Sequence, residues 1–379
     1  MRVCIVYDHL YPQTIGGAER WLRDLALRLA AAGHAVTYLT MRHWEAGNEP
    51  SLPGVRVVGV VPARDVYSDA RRTLGPPLRF GVGVAWHLLR HGREYDVVHA
   101  GSFPYFSLVG AALARRRGGY PLEVEWYEVW TRRYWRRYAG PLVGTIGWLV
   151  QRGCVRLPHR AYCFSRLTAR QLVAEGYRGE PLVLPGIYAG SAVAAVNGVD
   201  PALVVYAGRH VREKRLDALL AGLHWARGRR PDLRLDLYGD GPDRARIESL
   251  AGELSLRESV RFLGRRPEQE VESAFARAAC LATASEREGY GLVVVEAAAH
   301  GTPSVVVAGP ENAATELVQE NVNGAVAADP SPEQIGSALL RVVDAGPALR
   351  TSTSQWFAAT ADSLRLDRSL EVVLQSYAS

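Results

Sequence analysis

The sequence predicts two α/β domains with open parallel sheets, joined by a linker near the middle of the chain. Three observations carry this. The chain has 379 residues, room for two or three domains at about 150 residues each. With 48% hydrophobic and 22% charged residues it can bury large cores. Short apolar runs alternate with stretches of helical period in both halves, the pattern of right-handed strand–helix–strand crossovers.

Val3–Tyr7 is a short apolar strand, followed by a polar loop from Asp8 to Gly17. Trp21, Leu22, Leu25 and Leu29 recur at helical spacing, Gly33 and His34 end that helix, and Ala35–Thr40 is the next strand. Further strands are expected at Asp96–His99, near Leu122–Glu125 and at Ala161–Phe164, the last leading into a helix over Leu167–Glu175. Leu182–Leu184 reads as a strand. Residues 185–201, rich in Gly, Ala and small polar residues and containing Asn197-Gly198, read as the linker.

A second series then begins. Strands are expected at Leu203–Ala207, Arg234–Tyr238, Val260–Leu263, Cys280–Thr283, Ser304–Val307 and Ala325–Ala327. Helices are expected at Glu213–Ala226, Arg244–Leu254, Gln269–Ala278, Leu292–His300, Ala313–Glu320 and Pro332–Asp344. The domains are set at 1–190 and 191–361, with a C-terminal helix over 362–379 expected to pack back on the first. In such folds ligands bind beyond the carboxyl ends of the strands, and two such domains facing each other make a central cleft.

Composition excludes several classes. The longest apolar stretch, near Pro141–Val150, falls short of the roughly 18–20 residues of a membrane span. Asp8 and His9 follow the first apolar run too closely for a signal peptide. The cysteines Cys4, Cys154, Cys163 and Cys280 form no CxxC pair, so neither a disulfide framework nor a zinc site is expected, and a reducing cytoplasm fits. The net charge of +6 is unevenly divided. Residues 1–197 carry 25 arginines against 14 carboxylates, so the first half favours an anionic partner. Lys214 is the one lysine in the chain, which marks its neighbourhood as a candidate phosphate site.

Four constellations carry chemistry. Gly16-Gly17 after the first strand lets backbone approach a ligand and opens a helix whose free N–H groups suit an anion. Tyr206-Ala207-Gly208-Arg209 leaves the second domain's first strand, with Lys214 expected in the first turn of the next helix. Arg binds phosphate as a fork and Lys as a point charge. Glu288-Gly289-Tyr290-Gly291-Leu292 exposes backbone N–H groups at a helix start, and Glu296 follows about one turn into that helix. A carboxylate there suits two sugar hydroxyls. Gly239-Asp240-Gly241-Pro242 closes another strand at the same edge. A plain turn, a solvated charge run or a capping carboxylate would account for each taken singly.

Together these residues resemble the retaining glycosyltransferases of family four, which have the GT-B fold of two Rossmann-like domains. The likeness spans nearly the whole chain and is most specific at Gly208-Arg209 with Lys214, at Gly239–Pro242, at Glu288 through Glu296, at Gly301-Thr302-Pro303 and at Asn312–Leu317. The resemblance implies transfer of a sugar from a nucleotide-diphosphate donor, UDP- or GDP-linked, to a hydroxyl of a glycan, lipid-linked or small acceptor. Arg209 and Lys214 would bind the diphosphate, Glu288 the donor sugar and Glu296 the ribose. Backbone at Gly16, Gly17, Gly239, Gly289, Tyr290, Gly291 and Leu292 would hold phosphate and sugar, and Arg265 would border the base. It implies no metal and no further cofactor, because fixed positive groups meet the charge of the leaving diphosphate.

One departure stands out. Many relatives carry a second histidine two residues after the one matching His99, where this chain has Gly101 in the run His99-Ala100-Gly101-Ser102. Tyr127 likewise stands where close relatives often have histidine. His99 is kept as a catalytic candidate, and Ser102, Tyr127 and Glu128 as candidates on the acceptor side. Two alternatives stay open, a sugar-nucleotide epimerase and a catalytically idle sugar-nucleotide-binding protein.

Seven of the nine tryptophans fall before residue 149, and Trp130–Tyr138 alternates basic and aromatic residues. That composition suits peripheral contact with the inner face of a membrane, a phosphorylated acceptor, or cation–π packing within the fold. With no nucleic-acid-binding module in view, nucleic acid is not an expected partner.

Overall fold

The structure is a computed structural model. It describes residues 1–14, 16–45, 47–63, 67–68, 71–72, 75–190 and 198–378. Residues 191–197 of the expected linker, Ile15 of the first loop and Ser379 of the expected C-terminal helix lie outside the described residues. The chain forms two compact units, one of residues 1–184 with 369–379 and one of residues 185–368.

The first unit is a parallel sheet of seven strands: β1 (Arg2–Val6), β2 (Ala35–Arg42), β3 (Val55–Pro62), β6 (Val97–Gly101), β7 (Leu122–Trp126), β8 (Arg160–Cys163) and β9 (Leu182–Val183). Their order in the sheet is β3-β2-β1-β6-β7-β8-β9. A short antiparallel pair, β4 (Tyr67–Ser68) and β5 (Arg71–Arg72), stands apart from it. The central strands are buried along almost their whole length, as parallel strands covered on both faces must be. Helix α1 (Gly17–Ala31) buries Trp21, Leu22, Leu25 and Leu29. Helices α2 (Gly75–His91), α3 (Tyr105–Gly118), α4 (Arg132–Ala139), α5 (Pro141–Val155) and α6 (Arg166–Ala174) complete the unit.

Phe80 and Val84 of α2, Leu108 and Ala111 of α3 and Val155 of α5 join the strands in one core. Glycines set how close the helices come. A Cβ at Gly110 of α3 would lie 2.5 Å from the Gly81 carbonyl of α2, and one at Gly144 of α5 would lie 2.2 Å from the Trp135 carbonyl of α4. The sequence reading left β3 and α2 to α5 unassigned. Glycine lowers helix propensity by up to about 1 kcal/mol per residue, and α2, α3 and α5 hold it where packing needs it.

The second unit is a parallel sheet of six strands: β10 (Asp200–Ala207), β11 (Arg234–Tyr238), β12 (Val260–Gly264), β13 (Ala278–Ala282), β15 (Ser304–Val307) and β17 (Gly324–Ala327). Their order is β12-β11-β10-β13-β15-β17. The two-residue strands β14 (Arg287–Glu288) and β16 (Glu311–Asn312) pair in parallel. The helices are α7 (Leu216–Arg227), α8 (Arg244–Glu253), α9 (Glu268–Arg277), α10 (Leu292–Ala299) and α11 (Pro332–Leu364), while α12 (Leu366–Ala378) belongs from Ser369 onward to the first unit. Leu219, Leu220 and Leu223 of α7 pack with Ile335, Leu339 and Val342 of α11 in the unit's core.

Three expectations are corrected. The helix expected over 213–226 begins only at Leu216. Arg212–Lys214 forms a 3-10 turn, and Arg215 breaks the run with φ of 49°. The segment expected as a helix over 313–320 is only a 3-10 turn, Ala313–Leu317, capped by the Asn312 side chain, which accepts from the Ala314 N–H. The helix expected to stop at Asp344 continues as α11 through a kink at Gly346, φ 55°, beside Pro347. Beyond the kink Arg350 donates to the carbonyls of Ala276, Ala278 and His300 and to Thr302 Oγ1, fixing α11 to the sheet end.

Candidate functional site

In the second unit the strand order runs outward in both directions from β10 and β13, so the crevice at their carboxyl ends is where an open sheet takes a ligand. The sequence builds that edge from turns that need glycine. Gly239 has φ of 116°, and a Cβ on it would lie 2.0 Å from the Gly208 carbonyl. The Gly208 N–H donates to the Tyr238 carbonyl, the Gly239 N–H to the Gly264 carbonyl and the His210 N–H to the Asp240 carbonyl, tying together the loops after β10, β11 and β12. Tyr206 donates its hydroxyl to the Arg209 carbonyl and fixes the turn from which the exposed Arg209 side chain leaves.

Lys214 stands in the 3-10 turn ahead of α7, not in the first turn of that helix as expected. Its Nζ donates to Glu288 Oε2 at 2.5 Å, with each side chain about one-fifth exposed. The turn after β10 and the turn after β13 are joined by backbone as well, the Glu286 N–H donating to the Glu213 carbonyl. Glu288 is held by the β14–β16 pairing, and Asn312 of β16 donates to the carbonyls of Ser285 and Val307.

Gly291 caps α10 at φ of 100°, where a Cβ would meet Ala314 at 2.7 Å. Leu292 opens that helix and half-buried Glu296 follows one turn on. Tyr290 is buried beside Gly289. Arg265 follows β12 as an exposed residue. The structure therefore brings Arg209, Lys214, Gly239, Glu288 to Leu292, Glu296 and Arg265 to one end of one sheet.

The first unit has its own switch point between β1 and β6. Gly16 precedes α1, and the Glu19 carboxylate folds back over it, within 2.3 Å of where a Cβ would be. Gly17 has open space around its Cβ direction.

The catalytic candidate His99 lies within β6 of the first unit. Its side chain is fully buried and both ring nitrogens are engaged, Nε2 with Glu125 Oε1 at 2.7 Å and Nδ1 with the Tyr377 hydroxyl at 2.6 Å, while the ring stacks on Tyr162. Glu125 is the hub here, also accepting from Trp21 Nε1 and from the Tyr127 hydroxyl. Burial and the Glu125 carboxylate hold the Tyr127 phenol well above its ordinary pKa. Ser102 is buried, with its N–H on the Glu125 carbonyl, and Glu128 accepts from Trp130 Nε1.

Sequence reasoning passed over Glu125 and His210. The signal for Glu125 was a carboxylate inside an apolar strand, costly unless satisfied. His210 is fully buried, neither ring nitrogen hydrogen-bonds, and burial lowers its pKa. Among the described residues no group of three or more His, Cys, Asp or Glu is placed to hold a metal ion.

Comparison with known proteins gives two family matches: Glycosyltransferase Family 4 over residues 15–185 and Glycosyl transferases group 1 over residues 194–355. The chain is 33% identical over 352 residues to a D-inositol 3-phosphate glycosyltransferase of Corynebacterium urealyticum, covering 80% of this chain and 79% of that one. Among solved structures it is similar to sucrose-phosphate synthase from Thermosynechococcus elongatus, TM-score 0.83 at 18% identity over 99% and 98% of the two chains. It is also similar to Anabaena HepE in complex with UDP and glucose, TM-score 0.76 at 17% identity over 100% of both.

Proposed function

This chain belongs to glycosyltransferase family 4 and has the GT-B fold, and we propose that it moves a hexose from UDP- or GDP-sugar to an acceptor hydroxyl. We infer further that it retains the anomeric configuration and requires no divalent metal. The observation that supports this most is the Lys214–Glu288 pair at the carboxyl ends of β10 and β13, with Arg209 leaving the same strand end.

In this reading the bond from the sugar C1 to the diphosphate oxygen breaks, and the acceptor oxygen bonds C1 on the same face. The acceptor proton passes to the leaving phosphate oxygen. Arg209 grips the diphosphate as a fork and Lys214 meets it as a point charge, so negative charge developing on the leaving group finds fixed donors. Glu288 holds Lys214 in place and contacts the donor sugar, and Glu296 takes the ribose hydroxyls. Backbone amides from Gly289 to Leu292 and at Gly17 hold sugar and phosphate, with Gly16 and Gly239 shaping the turns and Arg265 beside the base. On the acceptor side Ser102, Tyr127 and Glu128 bind the acceptor, and His99 positions Glu125 and Tyr127 from within the core. That UDP occupies the similar HepE structure supports a uridine donor.

The test is transfer from labelled UDP- or GDP-hexose to a panel of glycan and lipid-linked acceptors, with chelator present. Proton NMR of the product would show the donor's anomeric configuration. An inverted product, or activity abolished by chelator and restored by magnesium, would overturn those parts.

A further inference from the structure

We propose that the first unit docks on an anionic membrane surface through the helix pair α4–α5, with α4 facing lipid phosphates and α5 entering the acyl boundary. The sequence places basic and aromatic residues together over 130–138, but the structure separates their roles. Tyr134 is buried, and Trp130 and Trp135 pack half-buried against Phe103 and Tyr105, so these rings belong to the protein interior. Arg132, Arg133, Arg136 and Arg137 are all exposed and, with Pro141, line a recess of about 590 Å³.

The apolar part comes from the next helix. Gly144, Gly147 and Gln151 turn one side of α5 toward α4 and the interior, a Cβ at Gly147 falling 2.5 Å from the Trp135 ring. The other side presents Leu142 at 73%, Val143 at 53%, Ile146 at 53% and Leu149 at 55% exposure. Large aliphatic side chains repeating along one exposed face call for an apolar partner. A basic helix beside an apolar one is the make-up of an interfacial membrane element.

Charge decides the occupant. From Val129 to Ala174 the chain has no Asp or Glu, and none occurs from Val97 to Leu122 or from Ala70 to Arg93. A second copy docking through the same face would set these arginines against themselves, since a two-fold interface is self-complementary. Anionic lipid headgroups complement this basic face, and basic residues near such a surface are drawn to it. Among the described residues no helix is long and apolar enough to cross a membrane, so the contact proposed lies on the surface.

The test is flotation of the full chain with phosphatidylcholine vesicles and with vesicles containing phosphatidylglycerol as well, a readout that needs no turnover. Binding is expected to the anionic vesicles, weakening with salt. R133E/R136E and L142Q/I146Q should each lower it by about tenfold or more, with unchanged Tm. Equal binding to both vesicle types, or variants that bind as wild type, would overturn the proposal. So would loss of a dimer in sedimentation of L142Q/I146Q with vesicle binding intact, which would give the face to a second copy.

Discussion

Lys214 Nζ sits 2.5 Å from Glu288 Oε2, joining the turn after β10 to the turn after β13 at the switch point of the second unit. The pair is about four-fifths buried, and its two members come from segments 74 residues apart. In the function proposed above, the pair sets a cation where a diphosphate leaves, with a carboxylate that keeps it there.

Lys214→Ala is expected to lower transfer by about 100-fold or more, beyond the roughly 1–3 kcal/mol that leaving Glu288 without its partner costs the fold. Glu288→Gln should do the same. Turnover against a thermal melt of each variant separates the two effects, and normal turnover with a lowered melt would make the pair structural.

Two glycines should respond oppositely to the same substitution. Gly239→Ala forces a Cβ to within 2.0 Å of the Gly208 carbonyl at φ of 116°, and should cost about 2 kcal/mol or more. Gly17 opens α1 with nothing within 4 Å of its Cβ direction, so Gly17→Ala should be neutral or stabilising by up to about 1 kcal/mol. Chemical denaturation of both variants checks this.

Tyr377→Phe removes the hydroxyl that meets His99 Nδ1 in a buried site. The loss should be about 1–3 kcal/mol, because the imidazole nitrogen is left unsatisfied. Hydrogen exchange should rise first in α12, where Ser376 and Tyr377 make the helix's contacts with Tyr162 and His99.

His159 should make the fold acid-sensitive. Its Nδ1 donates to the Leu157 carbonyl and its Nε2 accepts from Trp126 Nε1, an arrangement that needs the neutral ring. Burial lowers its pKa to about 4. The unfolded chain takes up that proton near pH 6.5, so the stability is present above about pH 6.5 and is lost as pH falls toward about 4. It amounts to at most about 3 kcal/mol. Melts from neutral to acid pH should fall less steeply for His159→Gln than for wild type.

The sequence disclosed those features that local chemistry decides. Both series of apolar strands, the glycine turns at Gly208, Gly239 and Gly291, and the spacing from Glu288 to Glu296 are written in consecutive residues. Features that depend on distant partners were hidden. His99 looks like an open strand-end histidine until Tyr377, 278 residues away, covers it. Lys214 reads as helical because nothing nearby announces that Arg215 adopts a left-handed conformation. Helix α5 carries glycines that argue against helix, and the reason for Gly144 and Gly147 is the Trp135 backbone and ring of α4 on which they pack. The sequence of 130–138 does not tell which side chains are exposed: Tyr134 is buried, whereas Arg132, Arg133, Arg136 and Arg137 are exposed.

The most direct measurement is a thermal shift of wild type and Lys214→Ala with UDP and GDP. A nucleotide at about 100 times its dissociation constant stabilises by about 2.7 kcal/mol. The account expects one of the two diphosphates to raise the melting temperature of wild type and most of that rise to vanish in Lys214→Ala. A wild type that responds to neither, or a variant that responds as fully as wild type, would contradict a donor diphosphate held at Lys214.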